Sequence, residues 1–333
     1  LDCERLNPAK EHSEKKLSIA KTLSEKKPSD ETNLTLSEFY GQLGLILSLQ
    51  NNLARALEVF QKSFTLADML SKKSNNLESL RMLALCYENI GFILAKQGAS
   101  DKAIELLQRS LSIRKEANTK FKTQKTTIEL AYGYFNIANF LQTQGNLTDA
   151  LTMCQESLII CKDLSIKSGT QESLVSLAEC YSHIGDILHA QNNSDKALEW
   201  FQKSLFINNE LSTKFENPEA LQNLAENYSK IADILQEKED LPGAQECNLQ
   251  SLATIENALP KLSSRISKTS LLICQINCCR KMMIILIKMK KYKEAYSYGR
   301  TALTICKKSS TSLTKNYVHT AEKGIRETMT LLK

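Results

Sequence analysis

The chain has 333 residues, 42% of them hydrophobic, with 43 Lys and Arg against 37 Asp and Glu but only 11 Gly and 5 Pro. So few turn formers disfavour β-sandwiches, β-barrels and nucleotide-binding α/β folds. No uninterrupted apolar run reaches the ~18–20 residues of a membrane span, and the mixed-charge start at Leu1–Lys27 is unlike a signal peptide, so the expectation is a folded helical protein of the cytoplasm, with the nucleus as the alternative.

An internal period organises the chain. Tyr40, Tyr87, Tyr134, Tyr181 and Tyr228 stand 47 residues apart. Each is followed by Leu or Ile at the third position and Gly or Ala at the fourth (Gly44, Gly91, Ala138, Gly185, Ala232), and then by Leu47, Leu94, Leu141, Leu188 or Leu235. This i, i+3, i+4, i+7 stripe is one face of an amphipathic helix. Nine residues further on, Ala56, Ala103, Ala150, Ala197 and Ala244 open a second helical pattern, marked by Ser63, Ser110, Ser157, Ser204 and Ser251.

Taken in chain order, residues 8–26 repeat the second-helix pattern in register. They read as the second helix of a truncated unit or as an N-terminal cap, and with Leu as first residue the chain is expected to be a piece of a longer protein. Five regular units fill 34–260. Gln-Gly at 97–98 and 144–145 and Asn192-Asn193 punctuate them, with Ser100-Asp101 and Ser194-Asp195 read as caps, Pro242 near a helix start, and Asn217-Pro218-Glu219 combining an N-cap, a first-turn Pro and a dipole-matching acid. A divergent sixth unit follows at 261–310, where Met282 and Met283 replace Ile-Gly and Gly299 replaces an aromatic residue. A C-terminal capping helix is expected over 313–333. First helices of about 22 residues would each be ~33 Å long.

Aromatic-x-x-Leu/Ile-Gly/Ala-x-x-Leu, then Ala, then an aromatic such as Phe60 or Phe201 and a small residue, resembles the tetratricopeptide repeat (TPR). The resemblance implies an all-α, right-handed superhelical solenoid of antiparallel helix pairs, here with a 47-residue period where such units typically have 34. The longer unit is similar to those of kinesin light chains and spindle-orientation adaptors, which hold extended peptides. By that resemblance the first helices line a concave face, and the groove would carry Gln42, Leu45, Glu88, Asn89, Phe92, Asn136, Asn139, Gln142, His183, Asp186, His189, Lys230, Asp233 and Gln236. Asn136 and Asn139 carry the strongest expectation, because a side-chain amide both donates and accepts and can pair with any peptide backbone. Gly41, Leu45 and Phe92 stand where a chaperone-tail clamp would need Lys or Arg, so that ligand is disfavoured.

Chemistry other than binding finds little support. His183, Asp186 and His189 spread over roughly 120° of helix, too wide an arc to converge easily on a metal. The ten Cys include no Cys-x-x-Cys, and Cys274, Cys278 and Cys279 lack a nearby His, so buried free thiols are expected and no metal or cofactor. Phosphate-loop, nucleophile-elbow and zincin motifs are all missing, which points away from an enzyme. Charge is segregated: 261–333 holds 16 Lys and Arg against 3 Asp and Glu, whereas 30–260 is net acidic. Arg280, Lys281, Lys288, Lys290, Lys291 and Lys293 form a basic patch interleaved with Tyr292, Tyr296 and Tyr298. The reading is a protein-interaction scaffold for an extended peptide. The alternatives are a sensor or regulatory domain of a multidomain protein and a nucleic-acid-associated scaffold that uses the basic end.

Overall fold

The computed structural model describes residues 3–262 and 265–309 together with 322, 323, 325, 326 and 330. Among them the regular elements are all α-helical, and they fall into two compact units, Leu1–Ile160 and Cys161–Lys333. The first holds α1 (Cys3–Lys26), α2 (Asp30–Leu49), α3 (Leu53–Ser74), α4 (Leu77–Lys96), α5 (Ser100–Phe121), α6 (Gln124–Thr143) and the start of α7 (Leu147–Ser168). The second holds the rest of α7, α8 (Gln171–Ala190), α9 (Ser194–Lys214), α10 (Pro218–Glu237), α11 (Leu241–Ala258), α12 (Arg265–Lys288) and α13 (Tyr292–Ser309). The regular first helices have 20 residues, two fewer than expected, and α1 starts ahead of Pro8. The proposed closing helix 313–333 lies almost wholly outside the described residues.

Helix boundaries repeat with the period. Within pairs, Asn51, Gly98, Gly145, Asn192 and Glu239 occupy the left-handed region 47 residues apart; between pairs, Asn75, Lys122, Gly169 and Glu216 do the same. Each inter-pair turn is followed directly by an N-cap. Ser29, Asn76, Thr123, Thr170 and Asn217 all accept a backbone N–H from the first turn of their helix, and Asn217 bonds both Glu219 and Ala220. Such a cap stabilises a helix by about 1 kcal/mol. Ser100 and Ser194 are not caps: the cap positions are Ala99 and Asn193, neither making a side-chain cap bond, and the Ser100 hydroxyl donates instead to Gln144 Oε1 across to α6. One residue of slip turns a cap into a first-turn residue whose side chain faces outward.

Size complementarity sets how each pair closes. A Cβ on Gly44 would come within 2.5 Å of the Phe60 ring, and one on Gly185 within 2.7 Å of Phe201. Where the facing position carries Cys154 or Asn248, the first helix has Ala138 or Ala232 instead of Gly. In the divergent pair the relation inverts: Met283 is the large partner, and a Cβ on Gly299 would lie 3.0 Å from its sulfur. The sixth unit's departures are therefore a swap of bulk between helices. A second site of contact behaves alike, since Gly133 makes room for Arg114, 2.9 Å from a virtual Cβ.

Polar bonds pin the same pairs. Ser63, Ser157, Ser204 and Ser251 are buried and donate 2.7–2.9 Å bonds to the Ser37, Ala131, Ala178 and Ala225 carbonyls of the preceding helix. Each carbonyl has a second lone pair beyond its helical bond, so the link is made without breaking the helix. In α12, Ser270–Lys288 has mean hydropathy 1.6, long and apolar enough by length and composition to cross a membrane, although the sequence reading saw no such run. Much of that segment packs inside the unit, with Ile276, Cys278, Met282, Met283, Ile285 and Leu286 buried.

Candidate functional site

In the first unit, one turn of each first helix meets the same open space. Leu45, Ser48 and Leu49 of α2, Asn89, Phe92, Ile93, Ala95 and Lys96 of α4, and Asn139, Phe140 and Thr143 of α6 with its C-cap Gln144 line a pocket of about 730 Å³, floored by Phe60. Leu45, Phe92 and Asn139 are repeat equivalents, so the 47-residue period places them side by side. Leu45 remains 50% exposed and Leu49 45%, which leaves unburied apolar surface inside a concavity. Asn89 and Asn139 have no hydrogen-bond partner among the described residues, nor has the half-buried Asn136 next to them on α6. Lys96 adds the only cation of the lining, its ammonium 3.2 Å from Ser48 Oγ.

Leu45, Asn89, Phe92 and Asn139 are thus brought together in one pocket, while Asn136 and Gln142 stand outside the lining. Leu49, Lys96 and Thr143 are not among the expected groove residues, and they sit one turn further along each helix, at i+4 from Leu45, Phe92 and Asn139; Gln144 reads in the sequence only as turn punctuation.

The equivalent positions of the second unit are occupied by ion pairs. Lys230 Nζ of α10 lies 2.7 Å from Asp186 Oδ2 of α8, and Lys281 Nζ of α12 lies 2.7 Å from Asp233 Oδ2 of α10. His189 Nε2 meets Glu237 Oε2 at 2.9 Å. These pairs are side chains of successive first helices, and they continue inward: Lys230 also donates to Ser182 Oγ, Ser182 to Asn227 Oδ1, and Asn227 Nδ2 to the buried Ser204 hydroxyl. A ligand would have to displace charges that already satisfy one another, which costs more than filling an open apolar surface.

Three expectations change here. His183 is not a groove-lining side chain: at 6% exposure it is buried in α8, and burial pushes its pKa down to about 4. Lys281 is not free basic surface, since it bonds Asp233 and Ser229. Arg280 is not fully exposed, and its Nε is buried with no hydrogen-bond partner among the described residues. Lys288, Lys290, Lys291 and Lys293 are exposed around the α12–α13 turn.

Among the described residues no group of three or more His, Cys, Asp or Glu is arranged to hold a metal. The described cysteines are not joined in disulfides, and Cys161 and Cys180 face each other at 3.6 Å in the buried layer between α7 and α8. Burial pushes the Cys86 thiol up to about 11, so it stays protonated and behaves as a small hydrophobe. In the first unit Arg114, also buried, pairs with Glu88 at 2.7 Å and donates to the Glu129 carbonyl, a satisfied structural charge.

Sequence profiles described as tetratricopeptide repeat match residues 37–68, 83–118 and 127–210. No curated protein sequence matched. Among solved structures, BtubC (BKLC) from P. vanneervenii is similar at 16% identity and TM-score 0.60, over 78% of this chain and 94% of that one. RapI in its apo form is similar at 15% identity and TM-score 0.59, over 99% and 84%. A signal transduction ATPase with numerous domains and a tetratricopeptide repeat sensor, from Pyrococcus horikoshii, is similar at 15% identity and TM-score 0.53, over 95% of this chain but only 43% of that one. At these identities the likeness concerns the fold.

Proposed function

We propose that this chain, which belongs to the tetratricopeptide-repeat family, is a non-catalytic protein-interaction scaffold that holds an extended partner segment against the α2, α4 and α6 faces of its first unit. The observation that carries this reading is the pocket of about 730 Å³, in which exposed Leu45 and Leu49 and the half-buried Phe92 lie beside the amides of Asn89 and Asn139. Its volume is within the range of ligand pockets, its floor is apolar, and its few polar groups can pair with a peptide backbone while leucine and phenylalanine bury a side chain. The charged face of the second unit is already neutralised internally, which concentrates the binding capacity in the first.

The test is selection of peptides from a random library on the full chain, followed by calorimetry of the selected peptides. Phe92→Ala and the double variant Asn89→Ala/Asn139→Ala are expected to weaken binding by ten-fold or more while leaving helicity unchanged. Peptides that bind these variants normally and lose affinity with Lys230→Glu would place the site in the second unit and refute the reading.

A second reading is a sensor region within a larger protein. It is favoured by the Pyrococcus horikoshii structure, whose name includes a tetratricopeptide repeat sensor and of whose length this chain spans less than half. It is compatible with the same pocket, and the variants above would then also abolish signal-dependent regulation of the parent protein.

A further inference from the structure

The α12–α13 turn and the outer face of α13 form a cationic surface that the pocket reading does not use. α13 buries Ala295, Ala302 and Cys306 against α12, so that Lys293, Ser297, Arg300, Thr304 and Lys307 run along its opposite, exposed face at alternating steps of four and three. From Lys293 to Lys307 this stripe is ~21 Å long at 1.5 Å per residue. Lys288, Lys290 and Lys291 crowd its N-terminal end. Lys290 holds the left-handed position of the turn, φ 59°, which the equivalent turns give to Asn, Gly or Glu. None of these six cations has an ion-pair partner among the described residues, in contrast to Lys62, Lys72, Lys73 and Lys167, which are all paired. Glu294 is the one acid between 265 and 309, and it too makes no pair there.

Beside the stripe, Tyr296, Ser297, Arg300, Thr301, Thr304 and Ile305 line an open depression of about 500 Å³. Thr301 and Thr304 spend their hydroxyl protons on the helix carbonyls of Ser297 and Arg300, which leaves lysine, arginine, Ser297 and the Tyr296 phenol as the donors on offer. Tyr292 and Tyr296 are half-exposed among them.

We infer that this surface binds single-stranded nucleic acid, with phosphates on Lys290, Lys291, Lys293 and Arg300 and bases against Tyr292 and Tyr296. Phosphate oxygens only accept, and the unpaired groups here only or mainly donate. Half-exposed aromatic rings set between cations suit base stacking, which an acidic peptide would leave unused. A lipid surface needs apolar anchors, and α13 exposes no large hydrophobic side chain among its described residues.

The test is fluorescence anisotropy of the full chain with a labelled 12-nucleotide single strand, titrated between 50 and 200 mM salt. Its comparators are the equivalent duplex and unlabelled polyglutamate as competitor. The expected result is salt-dependent binding, weaker for the duplex, that Lys290→Glu/Lys291→Glu/Lys293→Glu reduces at least 30-fold at 50 mM salt. Neutral replacement of the three lysines by Gln should lower the slope of log K against log salt by about 2, at ~0.7 per phosphate contact. Tyr296→Ala should weaken binding without changing that slope. Lys62→Glu/Lys72→Glu/Lys73→Glu, on α3 in the other unit, is expected to leave binding unchanged; circular dichroism confirms folding of each variant. Absence of binding at 50 mM salt, equal loss in the α3 variant, equal affinity for the duplex, or competition by polyglutamate as strong as by oligonucleotide would each overturn the inference.

Discussion

Replacing Gly185 by Ala adds one methyl group to the contact between α8 and α9. Its Cβ would stand 2.7 Å from Phe201 Cε1 and 2.9 Å from both Cδ1 and Cζ, about 1 Å inside ordinary contact. Phe201 is buried and cannot swing away, so the helices must separate or the ring must leave its rotamer. Overpacking of this kind costs typically ~1–3 kcal/mol. Alanine in place of glycine returns ~1 kcal/mol of helix propensity, which leaves a net destabilisation of up to ~2 kcal/mol. Phe201→Leu removes the clash, imitating the pair in which Leu107 faces Gly91 at 3.4 Å from a virtual Cβ. The double variant should therefore be more stable than the two single losses added together, by ~1 kcal/mol or more. Trp200, the single tryptophan of the chain, lies next to Phe201 and packs at a tilt against Tyr181 of α8, ring centroids 5.5 Å apart, so its fluorescence reports on this helix pair directly. Urea unfolding followed at Trp200 should show a midpoint lower by up to ~1 M for Gly185→Ala at ordinary slopes. If Gly185→Ala raises the midpoint, as propensity alone would dictate, or if the two substitutions are additive within ~0.4 kcal/mol, bulk complementarity does not set the spacing of the pair.

Other consequences follow from single contacts. Glu239 and Lys122 hold left-handed backbone at turn positions where Gly98, Gly145 and Gly169 stand in other units; Glu239→Gly and Lys122→Gly should each stabilise by ~1 kcal/mol, read as a higher urea midpoint. Glu88→Ala leaves the Arg114 guanidinium buried without its carboxylate and should cost ~3–5 kcal/mol, whereas Arg114→Met should be far milder in the same denaturation assay. The folded-state pKa of His183, about 4, lies below its ordinary value of 6.5, so the unfolded chain takes up the proton first. Stability should fall between pH 6.5 and about 4 by on the order of 3 kcal/mol, and His183→Gln should flatten that slope in pH-dependent melts. Ala150 is fully buried at the α6–α7 contact, and Ala150→Arg should lower the melting temperature by several degrees in calorimetry.

Much of the local structure was legible because a repeat multiplies each weak signal. The stripe ending in Leu47, Leu94, Leu141, Leu188 and Leu235 specifies the same helix face five times, and the Asn217-Pro218-Glu219 start is found where it was read. The caps at Ser29, Asn76, Thr123 and Thr170 occupy the same repeat position and could have been found by subtracting 47 from Asn217. Turn geometry was harder, since the left-handed positions carry Asn, Gly, Lys and Glu, and a backbone conformation imposed by the helices on either side leaves no single residue type behind.

What the sequence by itself determined is the unit: two helices, their period, and the columns of residues that share a face, all of which follow from the 3.6-residue turn and a constant 47-residue spacing. What only the tertiary structure decided is which of those residues are still available. Asp186 and Lys230 are 44 residues apart, and Asp233 and Lys281 are 48, yet each pair closes at 2.7 Å because successive first helices lie side by side. Lys281 reads as part of a basic run until that neighbour is seen, and His183 reads as a surface histidine until its burial is known. Leu45 and Leu49 look like ordinary helix-face residues and prove to be uncovered in a concavity. Periodicity specifies the direction of a side chain on its own helix; whether that direction ends in solvent, in a partner charge or in the core depends on the neighbouring helix, and that is a property of packing.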